Sequence, residues 1–184
     1  MGSASLAAAV LDELAGKFNQ HRRMLRLSTS AGDQVLLAES LRGEEELSRS
    51  FRFELGALSL DAAIPLKSLM GQPVLVELLT DAGAGQFRSF HGHIVAAEIT
   101  GANGGFARYQ ITIEPWTAFM ALGRDTRIFQ GKTVFDILDV VFRSYQGKGR
   151  LAPAWRVDIA DRRVYPERSL TRNTRKATSR SLSG

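Results

Sequence analysis

The chain has 184 residues, 44% of them apolar and 23% charged, an ordinary balance for one globular domain, or one and part of another. It carries 24 Lys+Arg against 19 Asp+Glu, but five of the basic residues fall in 168–184, where there is no carboxylate, so residues 1–167 hold 19 of each. The basicity belongs to the tail, which weakens any inference to nucleic acid; the absence of cysteine excludes disulfides, Cys-ligated zinc and thiol nucleophiles.

Residues 1–22 read as an N-terminal helix or leader. Leu6, Val10, Leu14 and Phe18 recur at spacing four, the stripe of an amphipathic helix over 5–18. The stretch lacks a basic n-region, and Asp12 and Glu13 interrupt its apolar run, so it does not read as a secretory signal peptide. Leu6 stands where a myristoylation signal needs Ser or Thr. No apolar run approaches the roughly 18–20 residues that span a bilayer.

"MLRLST" (24–29) and "QVLLAESL" (34–41) flank Ala31-Gly32-Asp33, which predicts a hairpin. In "SFRFELGALS", Phe51, Phe53 and Leu55 share one face and Arg52 and Glu54 the other, the period of a half-buried strand. "IPLKSLMGQ" predicts a short helical turn ended by Gly71. "PVLVELLT" is the next strand, with Val74, Val76 and Leu78 on one face. Residues 87–100 and 106–115 bracket "GANGG", which supplies the left-handed positions of a hairpin turn. Pro115 stops the second of these strands, and "WTAFMAL" follows as a helical turn.

From Thr133 the period becomes helical, with Val134, Ile137, Leu138, Val141 and Phe142 in one stripe. Thr133 suits the N-cap, and Asp136 sits in the first turn, where the helix dipole favours it. Gly147 and Gly149 end this helix, and "WRVDIA" (155–160) predicts one more short strand. Six or seven antiparallel strands with helices at the edges favour a barrel or sandwich over a doubly wound sheet.

His91 and His93 lie two apart on a strand, so both rings could reach one ion, but zinc needs further ligands and His21 is the sole other histidine. The competing reading makes them half-exposed strand residues around Gly92, where the backbone bulges or comes close to a neighbour. "GKT" (131–133) resembles a phosphate loop, but the required glycine at 126 is Thr126, so an N-cap fits better. Glu44-Glu45-Glu46 reads as a solvated turn, and Trp116 and Trp155 as core or interface residues. No nucleophile–base grouping can be assembled, no cofactor is implied, and nothing in the chain carries catalysis.

Read in order, Phe90-His91-Gly92, Pro115-Trp116, Arg127-Ile128-Phe129-Gln130 and Asp136 with its neighbours make the chain resemble the N-terminal part of VgrG, the type VI secretion spike family related to contractile phage tail hubs. The resemblance implies a mainly β (α+β) fold: an antiparallel β-barrel-like phage tail hub domain over 23–128 with peripheral helices, and the beginning of a second, truncated α+β hub domain over 129–168. It also implies a structural, non-enzymatic role, a homotrimer, and docking on an Hcp-like tube protein. Nucleic acid and membrane insertion are not implied. Such proteins stay in the bacterial cytoplasm before assembly and leave through the type VI apparatus. The rival readings are a phage contractile-tail hub fragment, a nucleic-acid-binding module and a metal hydrolase.

Against that family the chain reads as truncated and non-functional alone, and 169–184 as a basic disordered tail produced by a frameshift. The residues from Arg172 on can be encoded by codons that, read one frame over, spell QYQESDLAFVER. That matches the family's continuation and explains a tail without apolar periodicity. The alternative is a genuine cationic tail, and the gene's other frame beyond Arg172 decides between them.

Overall fold

The computed structural model describes residues 24–30, 32, 35–80, 85–103, 105–123 and 126–174. The expected N-terminal helix over 5–18 and tail residues 175–184 lie outside the described residues. The chain forms two compact units that divide between Pro115 and Trp116.

The first unit is one six-stranded antiparallel sheet. Its strands are β1 (Leu25–Thr29), β2 (Leu37–Glu44), β3 (Arg52–Ser59), β4 (Pro73–Leu79), β5 (Phe87–Asn103) and β6 (Phe106–Glu114). They lie in the order β1-β4-β5-β6-β3-β2. The sheet curls into a half-barrel, so that edge strands β1 and β2 approach each other. Register shifts in β5 between Ile94 and Ala96 and between Ile99 and Gly101 add the local twist that a long strand needs to follow this curve. A short helix, α1 (Leu66–Leu69), precedes β4, and Gly71 follows it at φ +73°.

Alternation decides which face is inside. Phe53, Leu55 and Ala57 of β3 are buried between exposed Arg52 and Glu54 and half-buried Gly56 and Leu58. Tyr109, Ile111 and Ile113 of β6, Ile94 of β5, Val76 of β4 and Leu27 of β1 complete the core. Each large apolar side chain buried there contributes about 1.5–3 kcal/mol of transfer free energy.

The second unit starts with a 3-10 helix at Trp116–Leu122 and continues with β7 (Thr126–Lys132) and α2 (Val134–Arg143). A short 3-10 turn at Arg162–Val164 leads into β8 (Arg168–Thr174), which pairs antiparallel with β7. Its centre is aromatic. Trp116 packs edge-on to Phe142 at 5.0 Å, and Phe142 edge-on to Trp155 at 5.4 Å.

Several expectations are corrected. β1 and β2 do not form the hairpin drawn from Ala31-Gly32-Asp33; β1 pairs with β4 and β2 with β3. Local turn residues do not report which strand a sheet edge selects. The predicted strand at 155–160 has no ladder partner among the described residues, although Leu151, Pro153, Trp155 and Val157 alternate half-buried with exposed neighbours. Trp155 is drawn to the aromatic cluster instead of to a sheet. The unit boundary falls before the expected 128/129, because β7 pairs with β8 and Trp116 packs against α2. The tail expected to lack regular structure from 169 carries β8 as far as Thr174.

Candidate functional site

The motif residues fall into two groups, one in each unit. In the first unit, Phe90, His91 and Gly92 run along β5, paired with Val76, Leu75 and Val74 of β4. Phe90 meets Phe53 edge-on at 4.9 Å, and Phe53 stacks on Phe51 at 5.0 Å. Gly92 is a close approach: a Cβ there would lie 2.4 Å from Cγ2 of Ile113 and 3.1 Å from the carbonyl oxygen of Glu114. His91 is exposed, whereas His93 is buried opposite Pro73 and Glu114. Burial holds the His93 imidazole below its usual pKa. Among the described residues no group of three or more His, Asp or Glu is placed to hold a metal ion.

Pro115 ends the first unit, and the second opens on Trp116, whose indole Nε1 donates to the Ala154 carbonyl at 2.9 Å. Arg127 donates to the Ser144 hydroxyl at 3.2 Å, near the end of α2. Phe129 is buried on one face of β7, while Ile128 and Gln130 on the other are exposed. Thr133 and Asp136 form a reciprocal cap at the start of α2: the Asp136 N–H donates to the Thr133 hydroxyl at 3.2 Å, and the Thr133 N–H to the Asp136 carboxylate at 2.9 Å. The Thr133 hydroxyl, which donates to the same carboxylate at 2.7 Å, and the Thr133 N–H hold the Asp136 carboxyl below its ordinary range. Thus Gly131-Lys132-Thr133 is the end of a strand and a cap.

A cleft of about 600 Å³ lies on the polar face of the first unit's sheet. Arg42, Arg52, Glu54, Glu98, Gln110 and Thr112 are among the side chains lining it. Beside it, Arg52 pairs with the buried Glu114 at 2.6 Å. Charges of both signs line the cleft, and no imidazole does; such a wall can pair with a partner's polar groups. The alternation in the sequence placed Arg52 and Glu54 on the face away from the core, but the curl that gathers them with β2 and β5 left no local signal.

Comparison with known proteins gives these surfaces a context. Residues 44–176 match the family model described as phage tail baseplate hub (GPD). The chain is 42% identical over 127 residues to type VI secretion system spike protein VgrG1c of Pseudomonas aeruginosa, covering 68% of this chain and 17% of that protein. It is 38% identical over 124 residues to spike protein VgrG1b of the same organism, covering 67% of this chain and 16% of that one. The chain therefore spans about a sixth of the length of these relatives. Among solved structures, the E. coli c3393 protein matches with a TM-score of 0.60 over 80% of this chain and 38% of that chain, at 23% identity. That protein is described as a component of the type VI secretion system with structural similarity to the bacteriophage T4 tail proteins gp27 and gp5, and the likeness here is one of fold.

Proposed function

Because the chain belongs to the phage tail baseplate hub family, we propose that it is a hub module of a type VI secretion spike, working by assembly and not by catalysis. In this reading it self-associates, as a trimer, and seats on the end of a tube of Hcp-like protein. It is made in the cytoplasm and leaves through the apparatus. The observation that carries the reading is the family match over 44–176, together with 42% identity to a secretion spike protein. The sites agree with it: a mixed-charge cleft and exposed apolar side chains suit protein partners, and no helix among the described residues is long and apolar enough to cross a membrane.

The test is binding to tube protein. Purified chain incubated with assembled Hcp-like tubes from the same bacterium should sediment with them and label their ends in negative-stain images. A chain that stays in the supernatant at every tube concentration would contradict the reading. A phage tail hub is the second reading, and exchanging the tube for a phage tail-tube protein in the same assay separates the two.

A further inference from the structure

Two exposed features in different units complement each other. The first is the β2–β3 loop. Leu47 at its tip is 99% exposed, and Ser48 beside it adopts φ +67°, a conformation non-glycine residues rarely hold without support. Support comes from the Arg49–Glu46 ion pair at 3.2 Å, from the Arg49 N–H donating to the Glu46 carbonyl, and from Arg88 paired with Glu45. Glu44, Glu45 and Glu46 precede the tip, and Glu44 is in no ion pair among the described residues. The loop is an apolar knob whose base carries three carboxylates, two of them paired with Arg49 and Arg88. Pairs as exposed as Glu45–Arg88 and Glu46–Arg49 are weak enough to share their carboxylates with other cations.

The second is the outer face of the β7–β8 ribbon. Register sets Ile128 beside Arg172, Gln130 beside Leu170 and Lys132 beside Arg168. Ile128 and Leu170 are diagonal neighbours, within reach of each other, and are 64% and 59% exposed. Lys132, Arg168 and Arg172 surround them, and none is in a salt bridge among the described residues. Asp136, committed to the helix cap, interacts electrostatically with Lys132, and Glu167 precedes Arg168 in the chain. The face is an apolar spot with a basic rim.

We propose that this ribbon face receives the β2–β3 loop of a second copy of the chain, Leu47 covering Ile128 and Leu170 while Glu44–Glu46 face Lys132, Arg168 and Arg172. The two surfaces differ, so the contact is head-to-tail, and such contacts close into rings when the rotation allows. The inference rests on the self-association reading above and names its interface.

The test uses the full chain in sedimentation equilibrium and native mass spectrometry. The wild type should associate, less so as salt rises. Leu47→Asp keeps an intact ribbon, and Leu170→Asp keeps an intact loop; each alone should associate about tenfold or more weakly. Mixed one to one, they should form a heterodimer that grows no further, because each supplies the surface the other lacks. Circular dichroism identical to wild type confirms that both variants fold, and Glu44→Arg combined with Arg172→Glu should restore association that either change alone weakens. A mixture without heterodimer overturns the interface, as does a wild type that stays monomeric. Variants that assemble as well as wild type also overturn it, but leave self-association itself standing. Tube binding is read in its own assay.

Discussion

The first unit buries side chains from all six strands of one curled sheet, whereas in the second the buried hydrophobic residues described are Trp116, Phe129 and Val141. The first has a core that two layers of alternating strand residues can fill. The second has a single two-stranded ribbon, marginal by itself in water, and depends on an aromatic cluster. The difference teaches that one unit closes a core of its own, while the other buries little beyond its aromatic cluster and leaves the surface that the proposed assembly covers. In the proposed assembly, the exposed Ile128 and Leu170 are the surface that a second copy covers.

The sharpest way to break the comparison is Trp116→Ala. Removing a buried tryptophan costs about 3–5 kcal/mol, which should abolish the second unit's packing while the first unit still unfolds cooperatively in denaturant. The near-ultraviolet dichroism of the aromatic cluster and the far-ultraviolet signal of the sheet should separate. A single unchanged transition in both signals would mean that the units are not distinct in stability.

Next comes Gly92→Ala. The added Cβ meets Ile113 at 2.4 Å, so β5 or β6 must shift, at about 1–3 kcal/mol. The midpoint of the first unit's urea transition should fall, with the second unit's aromatic signal unmoved. Thr133→Ala should cost less, about 0.5–2 kcal/mol, and act on the second unit, because it removes one side of the cap on α2.

The smallest effects are those of pH, and they too sort by unit. The folded pKa of His93 lies below the unfolded 6.5, so its contribution is fully present above pH 6.5 and is lost as pH falls through the folded value. His93→Gln should flatten that slope in the first unit. The Asp136 carboxyl is held below 3.8, so the cap persists above pH 3.8 and fails only as pH falls through the lower folded value. The dichroism of α2 read from pH 5 to pH 2 checks this, and Asp136→Asn should remove the dependence.

Much of the first unit was legible in the sequence. The strict alternation at Phe51–Leu55, and the glycine-rich turn between β5 and β6, announce their strands, the first because each residue's face is fixed by a period of two. The cap at Thr133 and Asp136 was legible for the same local reason. Pairing was not. That β1 lies beside β4 is decided by the curl of the whole sheet, and the turn around Gly32 carries no record of it. The placement of Trp155 was also hidden: alternation there reflects one-sided packing on Trp116 and Phe142, which a single strand's pattern cannot distinguish from a ladder. The ribbon's open face became visible only once register set Leu170 beside Gln130.

The central claim, that the first unit is self-sufficient and the second is completed by assembly, is tested most directly by hydrogen exchange on the full chain at low and high protein concentration. Amides of β3, β5 and β6 should exchange at the same slow, concentration-independent rate in both. Amides of β7 and β8 should exchange quickly in dilute protein and become protected together with the β2–β3 loop as concentration rises. A ribbon already as protected as β5 in the dilute chain, or one whose exchange ignores concentration, would contradict it.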